Sequence, residues 1–498
     1  MTYRILFAVI FSVSNARAVS PEGGGGCQER LAFVEKVGLN EVFKGVAVKA
    51  DRPMPWGAFV RDRYRLFKGN GDVRGSDLGN DADAAIWLAI LDKDYRRNGR
   101  LIYVEGGKVP GLAEDGWLSL GEFEAEIMPA VVHHPESFSG GDVERVVRDL
   151  VSRARALHKL SWVGLLLVPG PEAAGWRSLN PGDPLWRRVR DFDDAYARKD
   201  KPAMRRAAGT LATDLKMLPG YPPRAKLALE EYLGKFRIRE VGSAIYVVSA
   251  LIFFLGAIFG KRGLGSAGAW TAAIGFAVMT AALLGRSVIA GHLPVAGGYE
   301  ILTFFSWSIA LFFIVFYLRT REIFLGLTLM PLTAIVAIVA SRFPAQIEAP
   351  LAPVLRSGWY AAHAALPIIG GGAFAVAFAA ALARFIKHKR LVGLAGSRNP
   401  VREIESRAIA LGYPLVAVGV LVAGAIWAER AWAAWWRWGV KDAVWLIPLV
   451  LATVYLHTRR KTREGVVAAT LVFLTFTAVV CVLVGSAVFG VRGLTTLY

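Results

Sequence analysis

The sequence predicts a polytopic α-helical membrane protein with about eight transmembrane helices, preceded by an N-terminal extracytoplasmic soluble domain of mixed α/β or mostly α structure. Three observations predict it. Hydrophobic residues make up 54% of the 498-residue chain, and long apolar runs appear only beyond residue 240. Charge divides along the same line: 37 basic and 32 acidic residues fall up to residue 240, against 22 and 8 beyond it, where Asp442 is the only aspartate. The chain also opens with a short leader-like stretch.

That leader occupies residues 1–18. Arg4 supplies the positive start, Ile5 to Val13 an apolar core, and Ala16-Arg17-Ala18 a small-residue cleavage pattern. The core is too short to cross a bilayer and reads as a secretory signal. Residues 19–235 read as the soluble domain. Short helical and strand-like patterns alternate there with turns such as Gly106-Gly107 and Pro169-Gly170-Pro171. A strand-like run, Gly164 to Pro169, precedes a charged helical stretch, Pro184 to Lys216. This region carries no nucleophile elbow, phosphate loop or metal-ligand spacing. Its one histidine pair, His133-His134, consists of neighbours that point to different sides of an element, so the two are not expected to share a metal. Cys27 and Cys481 form no disulfide framework. A C-x-x-C-H motif is absent as well, so the chain is not itself a c-type cytochrome.

Residues 236–498 form the membrane domain. Eight apolar segments run at roughly 242–260, 267–285, 301–318, 323–341, 358–385, 408–427, 444–458 and 465–490. Most are long enough for a hydrocarbon core of about 30 Å, and the seventh is short. Lys261-Arg262, Arg319 with Arg321, the run Lys387 to Arg407 and Arg459-Arg460-Lys461-Arg463 recur on alternate connections. By the positive-inside tendency those connections are cytoplasmic. The N-terminal domain, the His292 loop, residues 342–357 and the loop after segment six are then external. Most of the net charge of +19 belongs to the membrane half, which marks loops facing the cytoplasm and excludes a nucleic-acid face.

The most unusual feature lies between segments six and seven. Trp427, Trp432, Trp435, Trp436, Trp438 and Trp445 are six of the fifteen tryptophans in the chain. Indole suits the membrane interface because it pairs an apolar body with a polar N–H edge. Six on one loop exceed the needs of anchoring and suggest a flat platform for a planar ligand. The histidines sort by depth around it. His292 is in an external loop, His363 opens the fifth segment just below the external face, and His457 closes the seventh near the cytoplasmic face. His388 lies among lysines in a cytoplasmic loop and reads as solvated. One intramembrane histidine alone reads more simply as a hydrogen-bonded neutral imidazole. Beside an indole shelf, imidazole suits the axial coordination of haem iron.

These patches together resemble the CcsA/ResC-type haem-handling subunit of the system II cytochrome c synthase. That family carries W-A-x-x-A-W-G-x-Y-W-x-W-D-P-K-E followed by a helix ending Y-L-H-T-R. Here Trp427-Ala428, Ala431-Trp432, Trp436, Trp438 and Lys441 are in register, and Tyr455-Leu456-His457-Thr458-Arg459 matches outright. Gly291-His292-Leu293-Pro294, Tyr299-Glu300 with Ser306-Trp307, and Trp359 to His363 resemble further family patches. The resemblance covers roughly residues 280–498. It implies an inner-membrane protein of bacteria that holds haem b at the external Trp-rich loop, with Trp427, Trp432, Trp436 and Trp438 as its shelf. There haem would be attached covalently to apocytochrome c, with a ResB/CcsB-type membrane protein as partner. His457 matches the inner haem ligand and His363 the first of two external ones.

Three positions depart from the family. Gly439 stands in place of the motif aspartate, the last loop tryptophan has moved one residue to Trp445, and Thr495 replaces the second external histidine. Threonine is no substitute for imidazole on haem iron, so His292 becomes the candidate partner of His363. Holocytochrome c synthase activity is therefore an open expectation. Two other readings stand beside it: a haem-b redox subunit exchanging electrons between quinol and an external cytochrome, and a haem-free scaffold that kept the fold.

Overall fold

The computed structural model describes residues 24–49, 53–69, 76–78, 81–104, 116–133, 141–169, 176–219, 221–343, 353–386, 400–436, 440–458 and 466–493. The leader, His134, His388, Trp438, Gly439 and Thr495 lie outside the described residues. The chain divides into two compact units, one through Ala228 and one from Leu229. The division falls inside the helix Arg224–Lys235.

The first unit is mainly helical, and its described residues include three two-stranded antiparallel ribbons: Ala47–Lys49 with Pro53–Pro55, Ile102–Val104 with Gly116–Leu118, and Leu167–Pro169 with Trp176–Ser178. The strand expected over Gly164 to Pro169 is shorter, because Trp162–Leu165 forms one helical turn before it. The charged stretch is two helices, Trp186–Ala197 and Lys201–Lys216. Between them Lys199 turns the chain at φ 52°, and Asp200 caps the second helix through the Ala203 N–H. The core is aromatic. Trp56 and Trp87 stack at 4.0 Å, and both indole N–H groups donate to Asn40 Oδ1, at 2.9 and 3.2 Å. One amide oxygen thus satisfies two buried donors. His133 closes the helix Met128–His133.

Among the described residues the second unit is a bundle of eight long helices. They are α1 Ile238–Phe259, α2 Arg262–Ala290, α3 Gly298–Thr320, α4 Ile323–Ala340, α5 Gly358–Ile386, α6 Pro400–Trp432, α7 Val440–Thr458 and α8 Val466–Gly493. Among the described residues seven are long and apolar enough to cross a membrane, and the apolar part of α7, Ala443–Thr458, is shorter. The protein is a multi-pass helical membrane protein. In the span windows 78% of residues are buried on α5 and 67% on α3, against 28% on α1. The first two are therefore central, and α1 gives most of its surface to lipid. Polar side chains tie neighbouring helices: Ser249 Oγ donates to Gly268 O at 2.8 Å, Trp307 Nε1 to Thr280 Oγ1 at 2.8 Å, and Ser308 Oγ to Ile369 O at 3.0 Å. Lipid offers no water to such groups, so they find partners across the bundle.

Helix α6 departs from expectation at both ends. It begins at Pro400, not near 408, and runs to Trp432, five residues into the stretch read as a loop. Proline is well placed in a first helical turn, and Glu403 pairs with Arg407 one turn on, so a basic segment read as loop becomes helix. At the other end Ala428, Glu429, Arg430 and Ala431 are good helix formers. Ala433 stops the helix at φ 53°.

Asp193 sets a pH dependence in the first unit. Burial pushes its carboxyl up from the ordinary 3.8 to about 6, and Asp194 adds to this, while the Trp162 indole N–H works against it. That indole donates to Asp193 Oδ1 at 2.8 Å. A folded-state pKa above the unfolded one means that the folded form takes up the proton more readily. Asp193 therefore weighs against stability above pH 6, and its cost lifts as pH falls from about 6 towards 3.8. Asn at this position keeps an acceptor for the indole and removes the charge. Thermal unfolding of Asp193→Asn should give a higher midpoint than wild type at pH 7.5, and the gap should narrow steadily as pH falls through 6 towards 4. A gap independent of pH would show that Asp193 does not titrate in this window.

Candidate functional site

The site is built where α5 starts and α6 ends. His363 lies in the second turn of α5. Four residues on, Pro367 lacks an N–H, so the carbonyl of His363 loses its usual helical donor. The facing segment of α6, Val418–Ala423, is π-helical, a local widening often found at functional positions. Gly419 O accepts the N–H of Gly424 within that widened turn. The same oxygen accepts a hydrogen bond from His363 Nδ1 at 3.0 Å.

Two glycines permit this contact. A Cβ on Gly419 would lie 2.5 Å from Pro367 Cδ, and one on Gly424 would lie 2.8 Å from His363 Nδ1. The proline ring thus sits in the notch at Gly419, and the imidazole edge lies over Gly424. A hydrogen bond from Nδ1 also fixes the tautomer: Nε2 then carries the lone pair that a metal would use.

Aromatic rings complete the setting. The His363 imidazole stacks on Trp427 at 5.5 Å and 13°. Trp427 meets Tyr360 at 5.3 Å and Trp432 at 4.7 Å. The two indoles cross edge to face at 71°, so they form a corner where the sequence suggested one flat sheet. Arg430 lies over Trp359 at 5.7 Å. Trp436 and Trp445 pack against the bundle core, while Trp435 is exposed. Of the six tryptophans five lie among the described residues, and of these Trp427 and Trp432 gather with His363. Composition could not separate them, because the spacing reads equally well as loop.

His292 is held by a different device. Its Nδ1 bonds Leu293 O at 2.9 Å, within its own loop between α2 and α3. Glu300 closes that loop: one carboxylate oxygen accepts the N–H of Ala296 at 3.0 Å, and the other accepts from Arg286 Nε at 2.7 Å. Tyr299 lies between two guanidinium groups, Arg239 at 4.6 Å and Arg286 at 4.9 Å. The Tyr-Glu pair singled out in the sequence therefore has a structural task.

His457 sits at the far end of α7, one residue before its close. Since α5 and α7 run in the same direction, the early His363 and the late His457 belong to opposite ends of the bundle. The exposed imidazole donates from Nδ1 to Thr453 O at 2.9 Å, again leaving Nε2 with the lone pair. Two residues earlier, Tyr455 OH donates to the buried Glu405 at 2.9 Å, and Glu405 pairs with Arg384 at 3.3 Å. This contact across α5, α6 and α7 anchors the turn that presents His457. Glu405 and Arg384 gave no local motif, because Glu405 sits among Arg402, Glu403 and Arg407 in a stretch that reads as an ordinary charged segment. Among the described residues no group of three or more His, Cys, Asp or Glu is placed to hold a metal ion. At His363 the site offers one imidazole framed by aromatic rings, which suits a large planar ligand better than a bare cation.

Gly424→Ala should force His363 from its carbonyl and from Trp427, at a cost of about 1–3 kcal/mol for an overpacked contact. Gly485→Ala, where an added Cβ meets nothing within 4 Å, should be neutral. Thermal unfolding with tryptophan fluorescence checks both; equal behaviour of the two variants would remove the notch from the account of His363.

Residues 295–497 match the family model described as Cytochrome C assembly protein. Similar proteins include the cytochrome c biogenesis protein CcsA of Gloeothece citriformis (strain PCC 7424), 28% identical over 275 residues that cover 43% of this chain and 82% of that protein. CcsA of Synechococcus sp. (strain JA-3-3Ab) is 29% identical over 285 residues, 45% of this chain and 83% of that protein. The solved structure of Cytochrome c Heme Lyase CcmF aligns at 17% identity with a TM-score of 0.41, over 52% of this chain and 48% of that one. At that score the likeness carries no argument.

Proposed function

The membrane-spanning unit is a divergent member of the CcsA-type cytochrome c biogenesis family, and from that premise we propose that the protein handles haem for cytochrome c maturation. The observation that carries the proposal is His363, locked by Gly419 O and stacked on Trp427 beside Trp432. An imidazole with a fixed tautomer, set in a corner of large apolar rings, fits a porphyrin and its iron.

In this reading haem b is the cargo, held at the end of the bundle where α5 begins, on the external side of a bacterial inner membrane. The bound group supplies vinyl carbons to which the thiols of an apocytochrome add. The chain contributes position. His363 orients the ring, Trp427 and Trp432 wall it from water, and His292 is the candidate second ligand from its Glu300-closed loop. Trp436 and Trp438 would extend the shelf. At the opposite end the Tyr455–Glu405–Arg384 contact presents His457 as the entry-side ligand. Catalysis would then rest mainly on bringing thiol and vinyl together, which is worth several kcal/mol when orientation is well defined. The first unit, following a cleaved leader, would be an external domain, and a ResB/CcsB-type protein the membrane partner.

One specific feature favours a second reading, a haem-free assembly scaffold. Gly439 and Thr495 stand where the family pattern has a carboxylate and an imidazole.

Haem content separates the two. The protein purified with its partner should carry haem by pyridine haemochrome assay. His363→Ala and His457→Ala should each lower haem occupancy by at least about tenfold, the lower range for disturbing metal coordination. Wild type should restore cytochrome c in a maturation-deficient host, and His363→Ala should not. A haem-free wild type that still restores maturation would establish the scaffold reading.

A further inference from the structure

A cavity lies in the same unit, lined by neither His363, Trp427, Trp432 nor His457. It has a volume of about 270 Å³, opens to one side, and is lined by residues of α1, α2, α3 and α4. Its depth is apolar, walled by Ala244, Met279 and Ala337. Its head is polar, formed by Arg239, Glu240, Ser243, Tyr299, Thr303 and Ser341. These polar residues belong to the first turns of α1 and α3 and the end of α4, so the head lies at the end of the bundle where α1 begins.

The polar head is rich in acceptors. Ser243 Oγ donates to Arg239 O at 3.0 Å, Thr303 Oγ1 to Tyr299 O at 2.8 Å, and Ser341 Oγ to Ile338 O at 2.6 Å. Each hydroxyl proton is thus spent on its own helix, and each oxygen keeps lone pairs for another donor. Glu240 adds a carboxylate. Its Oε1 takes both nearby guanidiniums, Arg239 at 3.3 Å and Arg237 at 3.6 Å. Its Oε2 is shut from solvent and accepts no hydrogen bond. A buried carboxylate oxygen without a donor is costly, and the three acceptor hydroxyls that line the same cavity suit a group with several N–H donors. One cation completes the set: Arg239, whose guanidinium lies over the Tyr299 ring.

The walls say what kind of molecule carries that group. Val247 and Ile338, which line the cavity, are themselves exposed on the bundle surface. They continue into exposed Val248 and Leu251 on α1 and Ile335 and Val339 on α4. In a membrane this opening faces acyl chains. Pockets for drug-sized ligands run from about 300 to 1,000 Å³, so the cavity admits a headgroup and the first part of a chain, and the rest lies along α1 and α4.

We propose that this cavity binds the headgroup of a phospholipid bearing a primary ammonium. The three ammonium protons are shared among the Glu240 carboxylate and the hydroxyl oxygens of Ser243, Thr303 and Ser341, and Arg239 meets the phosphate. A quaternary ammonium has no N–H to give, so phosphatidylcholine is a poor occupant although its charge is the same.

The test uses the full-length protein, purified, stripped of lipid and titrated with short-chain phosphatidylethanolamine or phosphatidylcholine, binding being followed by native mass spectrometry and by the thermal midpoint. Wild type should bind phosphatidylethanolamine with a preference of about tenfold, the factor carried by one hydrogen bond to a charged group. Glu240→Gln should abolish the preference and leave the weak phosphatidylcholine response unchanged. Ala244→Phe, which fills the cavity and leaves its charges in place, should remove both. Equal binding of the two lipids by wild type would overturn the proposal, as would a preference that survives both substitutions. A quinol that saturates the site in place of phosphatidylethanolamine would also overturn it. Haem content is a separate readout, so this proposal and the haem reading fail independently.

Discussion

The arrangement around His363 depends on how closely α5 and α6 approach. Four glycines set that distance. A Cβ on Gly370 would stand 2.8 Å from Gly412 O, one on Gly412 would meet Phe374 at 2.6 Å, and Gly419 and Gly424 receive Pro367 and His363. Within lipid, helices gain little from hydrophobic association, because acyl chains are as apolar as their side chains. Close backbone packing and hydrogen bonds between helices supply what water would otherwise drive. The seam therefore has two roles at once. It holds the bundle together, and it brings a backbone carbonyl within reach of an imidazole. A wider seam would leave His363 in a rotamer chosen by lipid or loop.

Proline and the π-helical turn act on the same contact. Pro367 removes one donor from α5, while the widened turn of α6 carries the carbonyl that His363 uses. Each is a local defect in helical hydrogen bonding, tolerable in a membrane only when neighbouring groups satisfy what is lost. Here the defects face one another. The hydrogen bond from His363 Nδ1 lies where both helices are least regular, and it fixes the tautomer that any ligand on Nε2 would need.

Among the described residues, buried charge lies at the two ends of the bundle. At one end Arg286 and Glu300 pair at 2.7 Å with Tyr299 beside them; at the other, Arg384 and Glu405 pair at 3.3 Å with Tyr455. Such pairs add little net stability, since desolvation cancels much of the attraction, but breaking one leaves an uncompensated charge. Their effect is to fix geometry. The first closes the His292 loop and the second holds the turn before His457, so the ends of the bundle are specified by polar contacts and the middle by packing.

Much of this was legible before any fold was known. Apolar runs of sufficient length, alternating basic clusters and the positions of His363 and His457 in their runs follow from composition and period, which are properties of short segments. They are enough for a multi-pass helical bundle with eight helices and for imidazoles at opposite ends. The limits of α6 were not legible, because the basic residues after Pro400 and the alanines beside Trp427 suit helix and loop alike until neighbours decide. Nor was the choice among six tryptophans. Stacking on His363 requires Trp427 to lie opposite the second turn of α5, which depends on a glycine seam between helices some fifty residues apart. Arg384 and Glu405 meet for the same reason: their pairing is set by the register of one helix against another, and register between helices leaves no trace in either segment alone.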